Sequence, residues 1–198
     1  MSKLEATRRL ISSRIAPPLA RLMARTHITP NALTWIGFII TAAAASLIVT
    51  GHNLAAGIVA LLAGSFDTLD GALARLTGRV TRFGAILDST LDRLSEAVLL
   101  LALLAVFARE QQADWSLLTG VALLGSLMVS YIRARIEGLG VACKAGFFTR
   151  PERVIILALG LLLSRFNYAL VAAIGLLALL SFITVIERLA YAWRQLKD

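Results

Sequence analysis

Apolar stretches of roughly 17–25 residues, the length that crosses a hydrocarbon core as an α-helix, recur along nearly all of this chain. Backbone N–H and C=O groups find no water in lipid, so such runs read as helices that satisfy their own hydrogen bonds. Of the 198 residues, 58% are hydrophobic and only 16% are charged. A soluble domain of this size carries more charge and shorter apolar runs. The expectation is an all-α polytopic membrane protein forming one membrane domain. The N-terminal stretch Met1 to Thr26 lacks the uninterrupted apolar core of a cleaved signal peptide.

Punctuation in the sequence divides the apolar runs into six transmembrane helices. The first spans about Asn31 to Thr50, opened by Thr29-Pro30 and closed by Gly51-His52-Asn53. The second runs from about Leu54 to Leu76, the third from about Phe83 to Phe107, and the fourth from about Trp115 to Glu137. A loop rich in glycine and charge follows, and Pro151 opens a fifth that ends near Ser164. The sixth covers about Asn167 to Arg188 or beyond. Residues 1–26 alternate basic and apolar positions on both sides of Pro17-Pro18, as an amphipathic helix lying on anionic headgroups would. The expected division is therefore a juxtamembrane segment at 1–26 and a six-helix membrane domain at 27–198.

Basic residues give the orientation. Lys3, Arg8, Arg9, Arg14, Arg21 and Arg25 precede the first span, and Arg75, Arg79 and Arg82 occupy the second–third turn. Arg133, Arg135, Lys144, Arg150 and Arg153 surround the fourth–fifth loop, while Arg188, Arg194 and Lys197 end the chain. All of these share one side of a six-span layout, and only Arg109 and Arg165 fall on the other. That places both termini on the cytoplasmic side of the plasma membrane. The net charge of +8 follows from this bias, and no nucleic-acid module accompanies it. Cys143 is the single cysteine and has no internal disulfide partner, and His27 and His52 are too far apart for a histidine metal site. Trp35, Trp115 and Trp193 suit interfacial anchors.

Against this apolar background stand four aspartates, Asp67, Asp70, Asp88 and Asp92, in SFDTLDGALARLTGRVTRFGAILDSTLDR. A carboxylate in the bilayer costs about 2.5–3.5 kcal/mol on insertion scales, so a cluster of four requires compensation. On helices, positions three and four apart share a face. Asp67, Asp70, Gly71 and Ala74 make one stripe on the second helix, and Gly84, Asp88 and Asp92 make another on the third. The short connection reads as bringing these two helices together as antiparallel neighbours. Oxygen-only donors favour Mg²⁺ or Mn²⁺, and two ions bridging a diphosphate suit four carboxylates. Gly71 and Ala74 leave a groove for a ligand, and Arg75, Arg79 and Arg82 are placed to neutralise phosphate oxygens. A competing reading has the small residues packing helices and the aspartates pairing with arginines.

The spacing Asp67-x-x-Asp70-Gly71-x-x-Ala74-Arg75, eight residues, Gly84-x-x-x-Asp88-x-x-x-Asp92 resembles the CDP-alcohol phosphotransferase signature at all of its fixed positions. The resemblance covers nearly the full chain. It implies an enzyme that joins the phosphatidyl group of a CDP-linked lipid to an alcohol and releases CMP. It also implies that Asp67, Asp70, Asp88 and Asp92 hold the metals, that Asp92 is in addition the general base, and that the chain is a homodimer. Gly71, Ala74, Arg75, Thr81 and Gly84, with Pro30, Asn31 and Thr34 at the first span, match positions on the CDP-lipid side.

The segment VSYIRARIEGLGVACKAGFFTRPERVII points to the acceptor. Arg133, Arg135, Arg150 and Arg153, joined by Arg188 if the bundle closes, exceed what a neutral alcohol needs and suit a phosphorylated one. Anchoring by the positive-inside rule is the competing account. The segment is similar to the phosphatidylinositol phosphate synthases and their archaeal archaetidylinositol phosphate counterparts, which implies inositol 1-phosphate as acceptor. Arg133 stands where that pattern usually has lysine. Glycerol 3-phosphate, the acceptor of phosphatidylglycerol phosphate synthases, ranks second, because Ser89 stands where those enzymes commonly carry proline. A cation transporter using the aspartates, or a purely structural helix-packing protein, are rivals of other classes. A transporter predicts an internal repeat and midplane carboxylates, and neither is evident. Asp92→Asn is expected to keep the fold and abolish turnover; undiminished CMP release by that variant would remove Asp92 from the role of base.

Overall fold

A computed structural model describes residues 28–166 and 168–196, with all their side chains except those of Asp67 and Thr68. The expected amphipathic segment at 1–26, His27, Asn167 and Lys197 lie outside the described residues. Six helices make up the described chain: α1 (Pro30–Val49), α2 (Asn53–Leu76), α3 (Arg82–Arg109), α4 (Ala113–Gly138), α5 (Arg150–Leu162) and α6 (Ala169–Gln195). No β-strand occurs among the described residues.

The helix ends follow from local chemistry. Thr29 caps α1 by accepting the Ala32 N–H at 3.2 Å, and Pro30 occupies the first turn, where its missing N–H costs nothing. Gly51, with φ of +81°, turns the chain from α1 into α2. Thr81 caps α3 through the Gly84 N–H at 2.9 Å. At α5 the Glu152 carboxylate reaches back to the Thr149 N–H at 2.9 Å, half of a capping box that also includes the Thr149 hydroxyl.

The principal packing pairs are α1 with α2, α2 with α5, α5 with α6, α6 with α4, α4 with α3, and α3 with α1. They close into a ring in which α3 and α5 stand opposite one another. Expected as packing neighbours, α2 and α3 instead flank α1 on either side. The buried stripe of α1, including Gly37, Thr41, Ala44 and Ala45, is small enough for a helix to approach on each flank. One half of the ring is filled by apolar side chains: Ile48 of α1, Leu99, Leu100 and Leu103 of α3, Leu157 and Leu161 of α5, and Ile174 and Leu177 of α6. The other half, toward the N-termini of α1, α3 and α5, is polar.

Outward positions on every helix are apolar, among them Ile39, Leu62, Leu101, Leu124, Leu159 and Leu179. Water-soluble monomers rarely expose so much apolar surface, so the exterior suits lipid. By length and composition, α1, α2, α4 and α6 are long and apolar enough to cross a membrane. Helix α3 is long enough but carries Asp92, Arg93 and Glu96 near its centre, and the 13 residues of α5 fall short of a standard span.

Close helix contacts rest on glycine. A Cβ on Gly160 of α5 would lie 2.5 Å from the Ala173 Cβ of α6, whereas one on Gly64 of α2 would meet only Val154 Cγ1 at 3.6 Å. Gly160→Ala should therefore lower the thermal unfolding midpoint in detergent, at a cost of about 1–3 kcal/mol from overpacking. Gly64→Ala should leave that midpoint unchanged or raise it slightly.

Candidate active site

The stripe at Asp88 and Asp92 of α3 continues by one more turn to Glu96, so three carboxylates point toward the polar half of the ring. They line a cavity of about 390 Å³ together with Ser89 and Arg93 of the same helix. Val129, Ser130, Arg133, Ala134 and Glu137 of α4 form a second wall. Thr149, Arg150 and Arg153 at the start of α5, with Arg188 of α6, complete it. Five arginines and four acidic residues thus face one space.

Two ion pairs cross this space from α3 to α5. Arg150 Nη1 lies 2.6 Å from Asp92 Oδ1, with both side chains partly exposed. One turn deeper, Arg153 donates from Nε to Glu96 Oε1 at 2.7 Å and from Nη2 to Glu96 Oε2 at 2.9 Å. That pair is buried, with side chains 2% and 4% exposed. Arginines in the first turns of a helix oppose its dipole, and the facing carboxylates offset that disadvantage.

Arg188 is held by main chain. It donates from Nη1 to the Val129 carbonyl and from Nε to the Ala145 carbonyl at 3.2 Å, tying the fourth–fifth loop to α6. Gly146, with φ of +93°, makes this possible, because a Cβ there would sit 2.7 Å from Arg188 Nε and 2.8 Å from Thr184 Cγ2. Arg133 pairs with Glu137 at 2.9 Å, a half-exposed contact one turn along α4. Arg135 is exposed and lies outside the cavity lining.

Asp70 lies where α1 and α2 meet. Asp70 is buried, and the Thr34 hydroxyl donates to its Oδ2 at 2.8 Å. The Gly71 N–H donates to Asp70 Oδ1 at 2.5 Å. One turn earlier on α1, Asn31 Oδ1 would lie 3.1 Å from a Cβ at Gly84, so the absence of a side chain there lets α3 approach α1. The motif residues Pro30, Asn31, Thr34, Asp70, Thr81 and Gly84 therefore gather around the starts of α1 and α3 and the end of α2. Arg75 is exposed, and its Nη1 would be 3.4 Å from a Cβ on Gly71; Ala74 is half-buried.

No three His, Cys, Asp or Glu side chains are grouped for metal binding among the described residues. The side chain of Asp67 is outside that description. Asp70, Asp88 and Asp92 offer only carboxylate oxygens, a donor set that fits Mg²⁺ or Mn²⁺. Sequence reasoning passed over Glu96, Glu137 and Arg93. For Glu96 a signal existed in the four-residue spacing that continues from Asp88 and Asp92.

The CDP-alcohol phosphatidyltransferase family model matches residues 27–187. The archaetidylinositol phosphate synthase of Pyrococcus horikoshii is 41% identical over 94% of this chain and 97% of its own. The phosphatidylinositol phosphate synthase of Mycobacterium tuberculosis is 38% identical over 98% of this chain and 92% of its own. A crystal structure of the M. tuberculosis synthase with CDP-DAG bound superposes with a TM-score of 0.83 at 37% identity, covering 91% of this chain and 94% of that one. Another, in complex with manganese and citrate, also gives 0.83 at 37% identity, over 90% of this chain and 88% of that one.

Arg153→Ala leaves the Glu96 carboxylate buried without its partner and should cost about 3–5 kcal/mol of stability. Arg133→Ala removes only a solvent-screened pair along one helix and should change stability by less than about 0.5 kcal/mol. Thermal unfolding of the two variants in the same detergent compares them directly.

Proposed function

The chain belongs to the CDP-alcohol phosphatidyltransferase family and is an enzyme of that class, and from this we propose that it transfers a phosphatidyl or archaetidyl group from a CDP-linked lipid to inositol 1-phosphate. CMP is the other product. The observation that carries this reading is the single cavity joining Asp88 and Asp92 to Arg133, Arg150, Arg153 and Arg188. A neutral alcohol needs no such set of guanidinium groups, while a phosphomonoester uses them through charge-assisted hydrogen bonds. The similar proteins of Pyrococcus horikoshii and Mycobacterium tuberculosis, an archaetidylinositol and a phosphatidylinositol phosphate synthase, support it.

The roles in this reading are those the family motif implies, supported by the cavity's composition. Asp67, Asp70, Asp88 and Asp92 are the ligands for two divalent cations, Mg²⁺ or Mn²⁺, which when bound offset the charge of the diphosphate. Thr34 orients Asp70, and Pro30, Asn31, Gly71, Ala74, Arg75, Thr81 and Gly84 form the CDP-lipid side. The acceptor hydroxyl oxygen forms the new bond to the lipid-side phosphorus, and its proton passes to the Asp92 carboxylate. The anhydride P–O bond breaks, and its electron pair leaves on the CMP phosphate. Arg150 fixes the Asp92 carboxylate for that transfer. Arg133, Arg153 and Arg188 receive the acceptor phosphate, whereas Arg135, expected among them, lies outside the cavity lining.

The same reading makes 27–198 a membrane domain of six spans, preceded by an interfacial segment at 1–26. The charged residues of α3 are then sheltered inside the bundle, and the short α5 begins below the headgroups. Both termini and the cavity face the cytoplasm at the plasma membrane, and the working unit is a homodimer.

The test is CMP release from CDP-diacylglycerol by purified protein with Mg²⁺, comparing inositol 1-phosphate, glycerol 3-phosphate, inositol and serine. Release is expected with inositol 1-phosphate. Release with glycerol 3-phosphate instead would keep the enzyme class and overturn the acceptor.

A further inference from the structure

Glu96 belongs to no part of the family signature, yet its surroundings are the most constrained in the cavity. It sits near the middle of an apolar helix, 3% exposed, and both of its oxygens accept from Arg153 on the opposite side of the ring. A buried ion pair of this kind is a poor means of gaining stability, since well-packed apolar residues serve as well or better. What the pair does provide is direction. Of the five N–H groups of a guanidinium, Glu96 engages Nε and one hydrogen of Nη2. Both Nη1 hydrogens and the second Nη2 hydrogen remain on the edge away from Glu96. A planar fork gripped along one edge presents the other edge in a fixed plane.

The remaining acceptor arginines are held differently. Arg188 is anchored by two carbonyl oxygens, and Arg133 by a half-exposed contact with Glu137. We propose that Glu96 is a positioning residue for acceptor recognition, fixing the plane of Arg153 so that its outer N–H edge meets the acceptor phosphate. This rests on the reading that Arg153 belongs to the acceptor site. Because Glu96 also cancels the charge of Arg153, this arginine contributes hydrogen-bond geometry more than net field. Removal of the carboxylate leaves Arg153 one turn from the Asp92–Arg150 pair with nothing to hold its orientation.

The experiment measures initial rates of CMP release by full-length protein in detergent, varying each substrate while the other is saturating. Glu96→Gln keeps the side chain's size but replaces one acceptor oxygen with an amide that faces an arginine donor. It is expected to raise the acceptor KM by about tenfold, the equivalent of one charge-assisted contact. The CDP-lipid KM should stay within about twofold, and kcat should fall much less than the acceptor KM rises. Glu96→Asp, which restores the charge, should recover most of the acceptor KM. If Glu96→Gln does not fold, Arg153→Lys, which keeps a cation beside Glu96 but loses the planar fork, is read for the same split. An equal rise in both KM values, or a loss of kcat at unchanged acceptor KM in folded protein, would overturn the proposal. Arg153→Ala separates the two levels of the argument. If it leaves the acceptor KM unchanged, the acceptor-site reading fails; if it raises that KM while Glu96→Gln does not, Glu96 alone is wrongly assigned.

Discussion

An ionised side chain near the centre of an apolar helix has to find its counter-charge on another element, and the pairing of Glu96 with Arg153 is where this bundle meets that demand. The two residues lie on α3 and α5, which stand opposite one another in the closed ring and are not among its principal packing pairs. Their contact therefore fixes the width of the polar half. It also explains how α3, with Asp88, Asp92, Arg93 and Glu96 along one face, is compatible with an apolar exterior. The charged face turns inward, and Leu94 and Leu101 are left outside. An unpaired charge at any of these depths would cost several kcal/mol, so the inward orientation of α3 is strongly determined.

The division of the ring into an apolar and a polar half follows from the same placement. Leu99, Leu100 and Leu103 of α3 and Leu157 and Leu161 of α5 belong to one buried apolar cluster beyond the Glu96–Arg153 pair. On the other side of that pair the side chains are charged and long, and a cavity of about 390 Å³ persists. The loop between α4 and α5 closes it because Arg188 grips the Ala145 carbonyl and Gly146 admits the arginine. A glycine at this point in the sequence is thus a statement about Arg188, forty-two residues later.

Much of the frame was legible from local chemistry. Thr29-Pro30, Gly51 and Pro151 mark helix ends because capping and turn formation depend on neighbours in sequence. The aspartate stripes were legible for the same reason, through helical spacing. What local chemistry does not encode is partner choice. The insertion of α1 between α2 and α3 depends on small residues of α1 whose preference is for closeness and not for a particular helix. Glu96 could be placed on the stripe, but its partner lies 57 positions away, and the Val129 carbonyl that Arg188 grips lies 59 positions away. Main-chain acceptors leave no trace in residue identity, so the α4 carbonyl that Arg188 grips had no signal of its own.

The two pairs that cross from α3 to α5 differ in burial, and the difference bears on chemistry. The Asp92–Arg150 pair is partly exposed at the cavity, where water screens it and substrate groups can compete for either partner. The Glu96–Arg153 pair is nearly dry and joined at two points, so exchange there requires breaking both bonds at once without water to replace them. A reaction that moves a proton needs a carboxylate whose contacts can rearrange, and recognition of a phosphate needs donors whose directions do not. One turn of α3 separates these two environments. The i+4 repeat that aligns Asp88, Asp92 and Glu96 thus yields an exchangeable carboxylate and a fixed one from the same kind of side chain, with depth in the bundle as the only variable.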